Sequence, residues 1–348
     1  MVWSRINCRE VIFIRTNEIP TQATQNPTIL DSYVKAKSVL AKYDSAMASI
    51  SGGADSDVVL DILARLDADH CIRYVWFNTG LEYKATRDHL DFLETKYGIK
   101  IERFRPKKTV PTCCREYGQP FLSKHVSEQI HSLQINHFDF TDMEYEKMVE
   151  KVNKYSAKWW HNQFGDGKHG QSVFNIGRNK YLKEFLIENP PTFDIHRQCC
   201  EWTKKKPSKS IYKKYNVGLD ITGIRKGEGG VRSQAYTNCY SVQKNGINRY
   251  RPIFWYTNKD KDDYKKLFNI KNSDCYEIWG FTRTGCVGCP YNRDLEHDLA
   301  IVQQYEPQIH KACNNIFSDS YKYTKQYRDY VANRKELEKY KSKRGDSN

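Results

Sequence analysis

No stretch of the 348 residues approaches the run of about 20 apolar residues that a membrane span needs. The first residues, Met1-Val2-Trp3-Ser4-Arg5, lead to Cys8, Arg9, Glu10 and Arg15 without an apolar core of the secretory kind. A membrane protein is excluded, and a cytoplasmic, unsecreted chain is the expectation. Internal repeats and long low-complexity linkers are also missing. Acidic residues are in deficit: 42 Asp and Glu against 56 Lys and Arg leave a net charge of +14. Mean hydropathy is low at −0.78. Yet 24 Tyr, 15 Phe and seven Trp supply enough large apolar surface for a packed core, so disorder is excluded as well.

The charge surplus suits an anionic partner such as nucleic acid, a nucleotide or sulfate. A merely solvated surface accounts for scattered charge equally well. The run Lys335 to Arg344 reads as an exposed helix end or tail. Eleven cysteines in a reducing compartment argue for thiol or metal chemistry rather than disulfides, and their odd number excludes complete pairing. Two adjacent pairs, Cys113-Cys114 and Cys199-Cys200, and a Cys-x-x-Cys at Cys286 and Cys289 stand out. The single residues Cys8, Cys71, Cys239, Cys275 and Cys313 read mostly as small buried side chains.

Along the chain, residues 1–30 form an N-terminal arm with one apolar run, Val11 to Ile14, then a polar stretch rich in Thr, Gln, Asn and Pro. The pattern predicts a helix from Tyr33 to Tyr43, a strand from Ala46 to Ile50 and a helix from Val58 to Leu66. It continues with a strand from Tyr74 to Phe77, a helix from Lys84 to Tyr97 stopped by Gly98, and a strand from Ile99 to Phe104. Alternation of this kind implies right-handed βαβ units and a parallel sheet flanked by helices, a Rossmann-like α/β fold. Pro111 to Pro120 reads as a cysteine-bearing loop and residues 121–135 as a helix. Residues 138–192, with Trp159-Trp160 and a Gly/His-rich patch at 165–170, read as a helical insertion with a mobile loop. Leu219 to Thr222 is a further strand, leading into a basic, glycine-rich loop, Gly223 to Ser233. The division expected is an α/β nucleotide-binding domain over 31–290, carrying the insertion and the cysteines of 199–289, and a helical extension over 291–348.

The turn Ser51-Gly52-Gly53-Ala54-Asp55-Ser56 lies between a predicted strand and a predicted helix. Glycines let successive N–H groups converge on an anion, and the following helix adds its N-terminal dipole. Ser51 and Ser56 add hydroxyl donors. An ordinary tight turn with an N-cap would use the same letters. No Lys follows the glycines as in Gly-x-x-x-x-Gly-Lys-Ser/Thr, so a P-loop NTPase is disfavoured. Arg225, Lys226 and Arg232 flank glycines just after the strand at 219–222, where fixed cations can grip a phosphate or sulfate. Cys199, Cys200, Cys286 and Cys289 make a four-thiol set suited to a [4Fe–4S] cluster, to zinc or to a redox dithiol. Adjacent cysteines sit awkwardly on one tetrahedral zinc, which ranks the cluster first.

Four segments in order resemble the phosphoadenosine phosphosulfate reductase family, within the PP-loop adenine-nucleotide α-hydrolases. They are Ser51–Ser56, Trp76-Phe77-Asn78-Thr79-Gly80-Leu81-Glu82, Thr222-Gly223-Ile224-Arg225-Lys226-Gly227-Glu228 with Arg232, and Arg251-Pro252-Ile253-Phe254-Trp255. The Cys-Cys and later Cys-x-x-Cys, with Lys204, Lys205 and Lys206 behind the first pair, resemble the cluster-bearing adenylylsulfate reductases. The family's reductases carry a C-terminal Glu-Cys-Gly-x-His nucleophile segment, whereas residues 314–348 contain no Cys. The remaining plan resembles the branch that moves sulfur into other molecules, including DNA phosphorothioation sulfurtransferases and cluster-dependent tRNA thiolases.

That resemblance implies a site for ATP, or for an adenylyl sulfate with or without its 3′-phosphate, at Ser51, Gly52, Gly53, Asp55, Ser56, Thr79 and Gly80. Asp55 can reach Mg²⁺ or serve as a helix cap. Arg225, Lys226 and Arg232 would stabilise charge as pyrophosphate leaves, and Cys113 and Cys114 are candidates for a transferring sulfur. Implied partners are an adenine nucleotide, DNA or RNA, and a sulfur donor such as a cysteine desulfurase or a thioredoxin-like reductant. Two rivals stand beside sulfur transfer: a sulfonucleotide reductase releasing sulfite, and a non-catalytic nucleotide or redox sensor.

Overall fold

The computed structural model describes residues 18–165, 172–228, 235–244 and 246–345. Among the sequence expectations, Val11–Ile14, Cys8, most of the Gly/His patch and Arg232 lie outside them. The chain divides into two compact units. The first comprises residues 1–78, 82–105 and 206–284, and the second 79–81, 106–205 and 285–348.

The first unit is a six-stranded sheet in the order β3-β2-β1-β4-β6-β5. Its strands are β1 (Ala46–Ser49), β2 (Ile72–Phe77), β3 (Ile101–Phe104), β4 (Leu219–Ile221), β5 (Tyr240–Ser241) and β6 (Asn248–Tyr250). β1 pairs in parallel with β2 and β4, β2 with β3, and β4 with β6. The expected parallel sheet is therefore found, with one departure: β5 pairs antiparallel with β6, Tyr240 opposite Tyr250. Such short segments, two and three residues long, leave too little period-2 pattern to read.

Successive side chains of a strand alternate between faces. On one face Ala46 and Ala48 of β1 join Tyr74 and Trp76 of β2 in the main core. On the other, Met47 and Val75 pack with Ile211 and Val217. Both faces are covered, which explains why β1 reads as a continuous apolar run rather than an alternating one.

Helix α1 (Pro27–Leu40) begins six residues before the sequence pattern suggests. Asn26 caps it, its side-chain oxygen accepting from the amides of Thr28 at 2.9 Å and Ile29 at 3.3 Å, and Pro27 fills the first helical position. The polar stretch read as an arm is in part this cap. Helix α2 (Ala54–Leu66) follows β1 and is buried along most of its length. Helix α3 (Lys84–Tyr97) ends at Gly98, which adopts a left-handed φ of 58° as a C-terminal stop.

The second unit is helical, and segment 138–192 falls inside it. Its core gathers Trp159, Trp160, Ile176, Leu182 and Phe185 with Phe121, Val126 and Ile130, and with Tyr323 and Tyr327 of the C-terminal helix Ser318–Gly345. The lysine-rich run 335–344 belongs to that helix. The expected cysteine loop at 111–120 is a correction: Val110–Tyr117 forms a helix, α4, with Pro111 in its first turn. Pro there removes no intrahelical hydrogen bond, so the residue that suggested a loop is a start signal. No described helix is long and apolar enough to cross a membrane.

Candidate functional site

In the first unit, the strand order reverses direction between β1 and β4. Loops at the carboxyl ends of strands flanking such a point form a crevice where ligands of open α/β sheets bind. The turn 51–56 leaves β1 there, and the loop 222–228 leaves β4. Gly52 has φ +68°, and a Cβ on it would stand 2.8 Å from Thr86 Cγ2. A Cβ on Gly53 would stand 2.9 Å from the Tyr276 hydroxyl, itself 2.8 Å from Thr284 Oγ1. The backbone of the turn is thus fixed by close neighbours. The Ser51 amide donates to Ser56 Oγ at 3.2 Å, and the Gly53 amide to Ser51 Oγ at 3.3 Å. Gly53 is the helix N-cap residue, leaving Asp55 in the first turn rather than at the cap.

The loop after β4 is locked onto this turn. A Cβ on Gly223 would lie 3.3 Å from the Asp55 carbonyl and 3.4 Å from the Ser56 nitrogen. Arg225 is buried, and its Nε donates to Asp55 Oδ1 at 2.8 Å. Its Nη1 donates to the Tyr256 carbonyl at 3.3 Å and to Asn258 Oδ1 at 3.2 Å. Burial raises the Asp55 carboxyl above its ordinary pKa, with Arg225 pulling the other way. Glu228 accepts the Arg225 amide at 3.0 Å, and the Lys226 amide donates to the Phe254 carbonyl at 2.8 Å. Lys226 is exposed, its ammonium 5.1 Å from the Trp255 ring centroid. Three of the four sequence segments therefore meet at one place: 51–56, 222–228 and 251–255.

Beneath the turn, Asp57 is buried, with Asn272 Nδ2 at 2.8 Å and His89 Nε2 at 2.9 Å from its Oδ2. The sequence reading did not single these out. Their signal is only a charged residue on the apolar face of α2.

In the second unit the cysteines gather. α4 brings Cys113 and Cys114, both buried, against the turn Gln198–Cys200. Cys199 is buried, and the Thr203 hydroxyl donates to its carbonyl at 2.7 Å. A π-helical stretch, Glu201–Lys205, follows directly, an irregularity frequent at functional sites. Cys286 and Cys289 form a tight turn, the Cys289 amide donating to the Cys286 carbonyl at 3.3 Å. Gly288 between them has φ +60°, and a side chain on it would strike Tyr321 and Cys313.

Thr79, Gly80 and Leu81 bracket these elements. The Thr79 hydroxyl donates to Cys286 Sγ at 3.4 Å, its carbonyl accepts from Val110 at the start of α4 at 2.8 Å, and the Leu81 carbonyl accepts from Val287 at 3.0 Å. Gly80 has φ +88°, and a Cβ there would meet Thr109 at 2.8 Å. Two residues expected to line a nucleotide site thus lie in the second unit, supporting the thiols.

The thiols perturb one another. A hydrogen bond from Cys199 lowers Cys200 to about 5, against its burial, helped by the cations Lys124 and Lys204. Cys199 is correspondingly raised. Burial pushes Cys289 up to about 12, with Cys286 adding to it; the sulfur is densely surrounded although the residue reaches the surface. Among the described residues no three His, Cys, Asp or Glu side chains are arranged to hold a metal ion. A single zinc needs sulfurs about 3.8 Å apart, as Zn–S bonds of roughly 2.3 Å dictate. An iron–sulfur cubane takes one thiolate at each corner, a wider spread. Four cysteines with lysines beside them have the donor chemistry for that anionic group. Cys275 belongs to the first unit, where its sulfur lies 4.0 Å from Thr86 Oγ1.

A sequence model described as the phosphoadenosine phosphosulfate reductase domain matches residues 45–158 and 168–292. No curated protein matches the chain. Among solved structures it is similar to phosphoadenylyl-sulfate (PAPS) reductase from Candida auris in a phosphate complex. Identity there is 14% over 73% of this chain and 87% of that one, with a TM-score of 0.40. It is also similar to the U34-tRNA thiolase NcsA from Methanococcus maripaludis with its [4Fe-4S] cluster, 12% identical over 86% of this chain and 80% of that one, TM-score 0.37.

Proposed function

The chain belongs to the phosphoadenosine phosphosulfate reductase domain family, and from that premise we propose that it is an ATP-dependent, cluster-bearing sulfurtransferase acting on a nucleic acid. Ser51, Gly52, Gly53 and Ser56 hold the nucleotide's phosphates at the helix N-terminus. An acceptor oxygen attacks the α-phosphorus, the α–β bond breaks, and pyrophosphate leaves. Lys226 and Arg232 stabilise the charge that develops on it. Arg225 acts through Asp55 and the loop backbone, because its guanidinium is already engaged there. Sulfur at the sulfide level, delivered by a cysteine desulfurase with a thioredoxin-like reductant, then displaces AMP, which carries away the acceptor's oxygen.

Cys199, Cys200, Cys286 and Cys289 would hold the [4Fe–4S] group. When bound, it supplies a carrier for sulfide. Lys124 and Lys204, which lower Cys200, would offset its negative charge. The observation that carries the reading is the gathering of both cysteine pairs within one unit, in a chain whose other unit locks three family segments at the sheet's switch point. The charge of +14 supports a nucleic-acid acceptor through phosphate contacts.

ATP–pyrophosphate exchange on anaerobic protein, with total tRNA or DNA supplied, tests the proposal. Exchange dependent on nucleic acid is expected. Thiol-dependent sulfite release from adenylyl sulfate or its 3′-phosphorylated form would make the chain a reductase instead. Absence of both would leave a nucleotide or redox sensor and overturn the enzymatic reading.

A further inference from the structure

The four thiols assigned above are not alone. α4 packs directly on the turn Gln198–Cys200 and sets a second adjacent pair, Cys113-Cys114, against the first. The same helix is tied at its start to the Thr79 carbonyl, and Thr79 in turn donates to Cys286. A single bracket thus fixes α4 relative to the Cys286–Cys289 turn. Cys114 interacts electrostatically with Cys113, Cys200, Cys286 and Cys289. It is 7% exposed, as is Cys199. Cys313 is buried as well, but its sulfur donates to the Val287 carbonyl at 3.4 Å.

We propose that Cys114 is a fifth sulfur donor of the thiol site, able to replace Cys200 as a ligand. The inference rests on reading the site as a cluster site. The burial of Cys114 where α4 packs on the Gln198–Cys200 turn suits its sulfur to ligation within the site rather than to carrying sulfur out to a substrate. A site with one donor to spare keeps its metal group when Cys200, the thiol facing Lys124 and Lys204, is otherwise engaged.

The test is iron and acid-labile sulfide content of the full chain, reconstituted anaerobically with ferrous iron and sulfide. Wild type and C114A are expected to take up about four iron each. C200A should stay close to that level, while C114A/C200A should fall about ten-fold in iron affinity or more. C200A/C313A removes an equal number of buried sulfurs and should behave as C200A, so a fold defect common to double variants would show there. Far-UV circular dichroism of the iron-free proteins checks the fold directly. The proposal is overturned if C200A alone falls to the level of C114A/C200A, if that double variant keeps the iron of C200A, or if C200A/C313A loses as much. Wild type that takes up no iron would overturn the cluster reading and this inference with it, a result distinct from the other three.

Discussion

Replacing Arg225 with methionine removes the cation that holds the β4 loop to the nucleotide turn while keeping a chain of similar length. The side chain of Arg225 is 5% exposed and that of its partner Asp55 26%. Breaking a buried ion pair by deleting one partner costs roughly 3–5 kcal/mol, and the partial exposure of Asp55 places this pair at the low end, about 3 kcal/mol. The loss should depend on pH. Burial raises Asp55 above its unfolded pKa even with Arg225 present. The stability linked to that group is full below the unfolded pKa and declines as pH rises through the folded one. Without Arg225 the folded pKa climbs further, so the decline extends to higher pH. Where Asp55 is protonated in both, R225M should keep only a pH-independent deficit of about 1–2 kcal/mol from the lost hydrogen bonds to Tyr256 and Asn258. The deficit should grow by up to about 1.4 kcal/mol per pH unit until it levels near 3 kcal/mol. Urea denaturation at about pH 5 and pH 8 measures this. D55N/R225M, with neither charge, should recover part of the loss at the higher pH. A deficit equal at both pH values, or a double variant with the full sum of the single losses, would refute the reasoning.

G52A should lose about 1–2 kcal/mol of stability and most nucleotide affinity, from the left-handed φ and the contact with Thr86; thermal melts and calorimetric titration with ATP read both. G118A should be more damaging, because Gly118 has φ +107° and a Cβ there would overlap the Asp194 backbone beside the Gln119–Ile195 bridge; a loss above about 3 kcal/mol or failure to fold is expected by urea titration. T79V removes the hydroxyl hydrogen bond to Cys286 Sγ, and a loss of about 1 kcal/mol with a shift in the reduction potential of the loaded protein is expected by melts and redox titration.

The first unit was largely legible because its signals are local. β1, α2, β2, α3 and β3 carry apolar periodicity with clear stops, Gly98 among them, and the glycine turns sit at strand ends. The start of α1 is hidden because Asn26-Pro27 combines a capping residue with a proline, and either can equally mark a loop. β5 and β6 are too short for periodicity. Residue types also do not disclose what a side chain spends its groups on. Arg225 reads as an anion clamp, yet it is buried on Asp55, Tyr256 and Asn258. The family resemblance implies nucleotide contacts at Thr79 and Gly80, and in the fold these residues also hold Cys286 and α4. The convergence of Cys113-Cys114 with cysteines far along the chain depends on helix packing, which no spacing encodes.

Metal analysis of anaerobically purified full-length chain tests the central claim most directly. The account predicts brown protein with about four iron and four acid-labile sulfides per chain. Stoichiometric zinc without iron would contradict it.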